Sequence, residues 1–289
     1  MSEHDDSEWS EGGWVARLGG DFTARLLSGL AMGVVVAVCT FSGPTPFALM
    51  VVVVSLFVSW EWGRLVHGAD AGILVAVQIG STAIAGLLAT FVSAGLGLLT
   101  LPIGAILATL LSLGRNSLLA AVGVLYAGLP TIALIWLRYD DAQLMGVLAV
   151  IFLIVIVATA DTAAFVSGRL LQGPLLWPRV SPNKTWSGFI GALAASALVG
   201  ALFWLVVPGS SPVRLAVVGA LLALVAQAGD LAESALKRRF GAKDAGSILP
   251  GHGGVMDRVD GLVAAASAVG LAAAAINMHA PAQALLLGS

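Results

Sequence analysis

Residues 143–168 read QLMGVLAVIFLIVIVATADTAAFVSG. From Val147 to Ala160 the run has no charged side chain, then Asp161 interrupts it and Arg169 follows eight residues later. A stretch of this length and composition can cross the hydrocarbon core of a bilayer as a helix. Working outward, comparable apolar runs cover 24–43, 45–60, 71–92, 95–113 and 117–137 before it, and 188–207, 213–236 and 258–277 after it. Composition agrees: 58% of residues are hydrophobic, mean hydropathy is +0.98, and 10% are charged, against about 25% for a soluble domain. A water-soluble fold of 289 residues cannot hide that much apolar surface, because its outer shell must meet water. The expected fold class is all-α, a polytopic integral membrane protein of about nine transmembrane helices.

Lys and Arg set the orientation. With the N-terminus cytoplasmic, Arg17, Arg25, Arg64, Arg115, Arg169, Arg179, Lys184, Lys237, Arg238, Arg239, Lys243 and Arg258 fall inside, and only Arg138 and Arg214 fall outside. This predicts a multi-pass protein of the cell's inner (plasma) membrane. Residues 1–23 open with five acids before residue 12, unlike a cleaved secretory signal, and read as a disordered cytoplasmic tail. A formal charge of −2 gives no reason to expect nucleic acid as a partner. The lone Cys39 excludes an intrachain disulfide and a thiolate zinc site and reads as a buried small hydrophobe.

Two cytoplasmic connections, 169–187 and 237–257, are longer, richer in Gly and Pro, and dense in Lys and Arg. Function is therefore expected in residues 151–289. Residues 24–150 hold no comparable polar cluster and read as scaffold, with subunit contact in a homodimer as a further use. The Gly29/Gly33 spacing is assigned to internal helix packing, since one such pair among 35 glycines is weak evidence for a dimer seam.

Ionisable groups within a span cost several kcal/mol unless paired or hydrated, so each is a candidate for function. Asp161 lies about 12 Å below the cytoplasmic boundary at 1.5 Å rise per residue. Asp230 and Glu233 sit near the end of the eighth span, and Gln227, Asp230, Ser234 and Lys237 share one helical stripe with Glu233 at its edge. The plain alternative is an ion pair between Asp230 and a basic residue from another helix.

The following segment tips that balance. It runs from Ser234 through Lys237, Arg238, Lys243 and Asp244 to the turn Pro250-Gly251-His252-Gly253-Gly254, then Asp257, Arg258 and Asp260. Glycines let backbone N–H groups approach a ligand, and the helix that begins next aims its positive dipole end the same way, a setting that suits phosphate. Asp257 and Asp260 beside Asp230 would repel unless cations sit between them, and hard oxygen ligands near phosphates favour Mg²⁺. A basic loop obeying the positive-inside rule explains the Lys and Arg but neither the acids nor the glycine turn.

Residues 234–260 resemble the signature of the phosphatidate cytidylyltransferases, or CDP-diacylglycerol synthases, at every constrained position. Two further blocks agree: Gln227-Ala-Gly229-Asp230-Leu-Ala-Glu233-Ser234, and Asp161 to Arg169 followed by Ser181-Pro182-Asn183-Lys184-Thr185-Trp186-Ser187-Gly188. Asn183, Ser187 and Phe165 depart from the Lys, Glu and Tyr common in that family. The resemblance implies transfer of CMP from CTP to phosphatidic acid, with pyrophosphate released and a divalent metal held by Asp230 and Asp257. It implies catalytic roles for Asp230, Asp257, Asp260, Lys237, Lys243 and Asp244. Substrate contacts would come from Asp161, Ser181, Lys184, Arg238, His252, Gly253, Gly254 and Arg258. The expected partners are CTP, phosphatidic acid and membrane lipid.

The chemistry of the residues is compatible with this. A phosphate monoester with a second pKa of about 6 is already an ionised nucleophile at neutral pH, so the demands are to screen two polyanions and stabilise the leaving group. Bland readings remain for Ser181-Pro182 as a turn, His252 as a loop brace and Trp186 as an interfacial anchor. A CTP-dependent lipid-alcohol kinase, with Asp260 or Asp161 as base, and a cation-coupled transporter are the alternative functions. No P-loop, HExxH or GxSxG motif occurs.

Overall fold

The computed structural model describes residues 29–68, 72–112, 114, 116–140, 143–246, 248 and 253–289. The acidic tail, Arg115 and the Pro250-Gly251-His252 part of the glycine turn lie outside the described residues. The chain forms helices α1 (Gly29–Ser42), α2 (Pro44–His67), α3 (Gly72–Phe91), α4 (Ala94–Leu111) and α5 (Ser117–Arg138). After them come α6 (Gln143–Leu171), α7 (Trp186–Leu202), α8 (Pro212–Arg239), α9 (Met256–Ile276) and α10 (Pro281–Leu286). Eight of them, α2 to α9, are long and apolar enough to cross a membrane. The protein is an all-α polytopic membrane protein.

Most of the surface of these helices is apolar, as expected where the outer solvent is lipid, and among the exceptions are Asp161 on α6 and the Gln227 to Lys237 stripe on α8. Leu118 and Leu170 are three-quarters exposed, while Phe152, Leu153 and Ile156 on α6 are fully buried. Helix starts follow local chemistry. Ser93, Thr185 and Ser211 are extended N-caps whose hydroxyls accept Leu96 N, Gly188 N and Arg214 N, and Pro212 takes the first turn of α8.

Helices α2 to α5 pack on one another, α6, α7 and α8 pack in sequence, and α9 bridges the two groups by lying against both α5 and α8. At one end of the bundle α2, α6 and α8 finish while α7 and α9 begin. At the other, Arg138 donates twice to Thr40 O, Arg214 Nη2 to Ala284 O at 2.7 Å, and Ala282 N to Asp140 Oδ2 at 3.0 Å. The two arginines expected on the far face are thus engaged in tying the C-terminal α10 and the end of α1 to the bundle.

The structure corrects several expectations. The second span does not stop at residue 60 but continues two turns to His67, because Trp62 and Val66 keep its buried stripe going and carry Glu61 inside. The connection 169–187 is not plain loop: β1 (Leu175–Trp177) pairs antiparallel with β2 (Ser181–Thr185). These strands are too short, and Pro182 too disruptive, for pattern reading to find them. A Cβ placed on Gly29 or Gly33 meets nothing within 4 Å, so among the described residues no helix packs closely against that pair. Cys39 is half-buried rather than buried.

Candidate active site

Where α6, α8 and α9 meet the hairpin, a cavity of about 460 Å³ opens. Asp161 and Phe165 come from α6, Ser181, Asn183 and Lys184 from β2, Gln227 and Asp230 from α8, and Asp257, Arg258 and Asp260 from α9. Four acids from three spans therefore face one space. Glycines make this convergence possible. A Cβ on Gly229 would fall 2.4 Å from Ala264 Cβ, and one on Gly188 2.7 Å from Ala164 O. Without side chains there, α8 closes on α9 and α7 on α6.

Each acid has its own partners. Lys184 Nζ lies 2.6 Å from Asp230 Oδ2, and Ser234 Oγ donates to Asp230 Oδ1 at 3.3 Å. Asp230 is therefore ion-paired, as the alternative reading has it, but with a lysine of the hairpin rather than of another helix, and the pair lines the cavity. Gln227 Nε2 donates to Asp161 Oδ1 at 3.1 Å, and Gly261 N to Asp260 Oδ1 at 2.7 Å. Asp161, Asp230 and Asp260 stand close enough to repel one another. On the α6 side the lining residues Asp161 and Phe165 are themselves exposed, so the cavity is open along that flank.

Asp257 differs from the other three. Its Oδ1 lies 2.5 Å from Lys237 Nζ, and its Oδ2 accepts Ala245 N and Gly254 N, both at 2.9 Å. Lys237 reaches back one turn to the buried Glu233 at 3.1 Å. Asp257 thus ties the 240–255 connection to the end of α8 as well as facing the cavity.

The remaining expected residues are distributed unevenly. Ser181 and Arg258 line the cavity, Lys237 braces Asp257 from behind, and Lys243 and Asp244 are exposed outside it. Arg238, also exposed, donates to Ala242 O at 3.1 Å. Gly253 has φ +82°, a left-handed conformation that favours glycine. His252 lies outside the described residues. Trp186 is about half exposed at the start of α7.

One functional neighbour escaped sequence reading. Glu61 is fully buried, and its carboxylate accepts Val255 N at 3.0 Å and Met256 N at 2.6 Å. The N-terminus of α9, expected to turn its dipole toward a phosphate chain, meets Glu61 and Asp257 instead. The available signal was an acid between Trp60 and Trp62, continuous with an apolar helix.

Among the described residues no three Asp, Glu, His or Cys side chains form a ready metal cage. Mg²⁺ does not require one, since it is commonly held by one or two carboxylates completed by water and substrate phosphates. The four facing carboxylates have the hard oxygen donors such an ion needs, with Lys184 on Asp230 and Lys237 on Asp257 as the cations it would share them with.

Comparison with known proteins bears on the same blocks. The Cytidylyltransferase family pattern matches residues 23–275. A phosphatidate cytidylyltransferase of Brucella suis is 38% identical over 257 residues, covering 84% of this chain and 90% of its own. Those of Staphylococcus saprophyticus and Staphylococcus haemolyticus are 42% and 43% identical over 116 residues, each covering 40% of this chain and 45% of its own. A match that spans nearly all the membrane helices, including every element that builds the acid cavity, places this chain in the Cytidylyltransferase family.

Proposed function

We propose that this chain transfers the cytidylyl group of CTP to phosphatidic acid in the cavity between α6, α8, α9 and the hairpin, giving CDP-diacylglycerol and pyrophosphate. The observation that carries this reading is the meeting of Asp161, Asp230, Asp257 and Asp260 with Lys184 and Arg258 in one space at the ends of membrane-crossing helices. An ionised oxygen of the lipid phosphate attacks the α-phosphorus of CTP and a new P–O bond forms. The bond from that phosphorus to the bridging oxygen breaks, and pyrophosphate leaves with the electron pair. No proton need be removed from the nucleophile, so no general base is required.

The protein's task is to bring two polyanions together. Lys184 and Arg258 line the cavity and screen them. Arg238 in the last turn of α8 and Lys243 on the connection beyond it, both exposed, would meet the β- and γ-phosphates on the aqueous side. Mg²⁺ would be held by Asp230 and Asp257, with Asp260 lining the same cavity, and when bound it would supply charge neutralisation on the transferring and leaving phosphates. Asp257 shares its oxygens with Lys237 and two backbone N–H groups, so it both faces the ion and fixes the loop.

Phosphatidic acid cannot draw its acyl chains into water at about 0.8 kcal/mol per CH₂. The exposed α6 flank beside Asp161 and Phe165 lets it enter from the membrane while CTP enters from the cytoplasm, the side to which the Lys/Arg distribution assigns the cavity. Product analysis tests the reading. Purified full-length chain in detergent with CTP, phosphatidic acid and Mg²⁺ should release pyrophosphate in step with a cytidine-containing lipid. CDP and a newly phosphorylated lipid alcohol would instead identify a kinase.

A further inference from the structure

Glu61 lies outside the acid cavity, in the half of the chain that sequence reading assigns to scaffold, yet its carboxylate is fully buried. It accepts Val255 N and Met256 N, two of the N–H groups that an α-helix leaves without partners in its first turn. The surrounding backbone is shaped around it. A Cβ on Gly246 would lie 2.4 Å from Glu61 Oε1, and one on Gly254 2.8 Å from either carboxylate oxygen. Glycine at both positions leaves room for the acid, and Gly254 N in turn donates to Asp257 Oδ2. A single residue therefore separates Glu61 from an acid of the cavity.

From these contacts we propose that Glu61 is a positioning residue for the transfer reaction: seated under the first turn of α9, it fixes the backbone that aims Asp257 and Arg258 at the cavity. The proposal rests on the cytidylyl-transfer reading for the reaction that it supports. It has two parts. Glu61 sets where α9 begins, because two N–H groups from consecutive residues converge on its two oxygens. It also fills the helix N-terminus with an internal carboxylate, leaving the substrate phosphates to side chains such as Lys184 and Arg258.

Glu61→Gln keeps the volume but turns one oxygen into an NH₂ that cannot accept from a backbone N–H. The orphaned donor should relax the turn and lower kcat about 10- to 100-fold, the range typical of losing a group that orients a catalytic carboxylate from behind. KM for CTP should change by less than about threefold, because Glu61 touches no substrate. Hydrogen exchange should rise in residues 244–258 and stay unchanged in α3, α4 and α7. Glu61→Asp, which keeps both oxygens on a shorter stem, should recover part of the lost kcat.

A Gln variant with wild-type kcat, or with a loss that vanishes when activity is normalised to folded protein, would overturn the proposal. So would faster exchange spread evenly over the bundle, or exchange in 244–258 that does not change. Wild-type protein assayed in parallel separates the two levels of inference. If it makes no CDP-lipid, the reaction is wrong, while the exchange data still report whether Glu61 holds the turn.

Discussion

Asp230→Asn and Asp257→Asn should both abolish turnover, yet only the second should strongly destabilise the fold. The Asp230 pair with Lys184 has side chains 27% and 20% exposed, so water screens it and its loss costs about 0–1 kcal/mol. Asp257 and Lys237 are 9% and 12% exposed, and Asp257 also holds Ala245 N and Gly254 N. Whichever way the amide turns, its NH₂ faces either Lys237 or a backbone donor. One orphaned buried donor costs about 1–3 kcal/mol. Breaking a buried ion pair costs about 3–5 kcal/mol, reduced here because Lys237 keeps Glu233 at 3.1 Å. Together these give about 2–4 kcal/mol for Asp257→Asn, a fall in thermal midpoint of about 5–15 °C. Thermal unfolding followed by intrinsic fluorescence in detergent, beside turnover with labelled CTP, measures both quantities. Equal midpoints for the two variants, or a lower one for Asp230→Asn, would refute the assignment of a loop-tying role to Asp257.

Other expectations follow from the same geometry. Lys184→Met removes the cation nearest Asp230 and should lower kcat/KM about 10²- to 10³-fold with a midpoint near wild type, checked by steady-state kinetics at saturating Mg²⁺; a change below threefold would remove Lys184 from the phosphate site. In a Cys39→Ser background, Ala242→Cys should be shielded from an impermeant thiol reagent in intact cells while Ser210→Cys labels, and the reverse pattern would invert the orientation.

The bundle was legible in the sequence because a bilayer demands long apolar helices, and 143–168 or 213–236 admit no other reading. The acids were legible because a charge within such a helix stands out, and the Gln227 to Lys237 stripe followed from helical spacing alone. Glu61 was not, because it sits where an apolar run meets Trp60, Glu61, Trp62 and Arg64, a pattern that also marks a helix leaving the membrane. The helix in fact continues to His67, and the long-range contacts with Val255 and Met256 are what hold Glu61 inside. The hairpin was hidden by strands too short to leave a periodic signal, and the dual role of Asp257 by partners that arrive from the end of α8 and from both ends of the connection after it.

The most direct test of the central claim follows each phosphorus of CTP into the lipid. Reactions with CTP labelled separately on the α- and γ-phosphorus, phosphatidic acid and Mg²⁺ are run on wild type and on Asp230→Asn, matched for folded protein, and extracted into organic solvent. Cytidylyl transfer puts α-label in the lipid phase for wild type, leaves γ-label wholly in the aqueous phase as pyrophosphate and unreacted CTP, and puts neither label in lipid for Asp230→Asn. Appearance of γ-label in the lipid, or α-label transferred by Asp230→Asn within a few-fold of wild type, would contradict it.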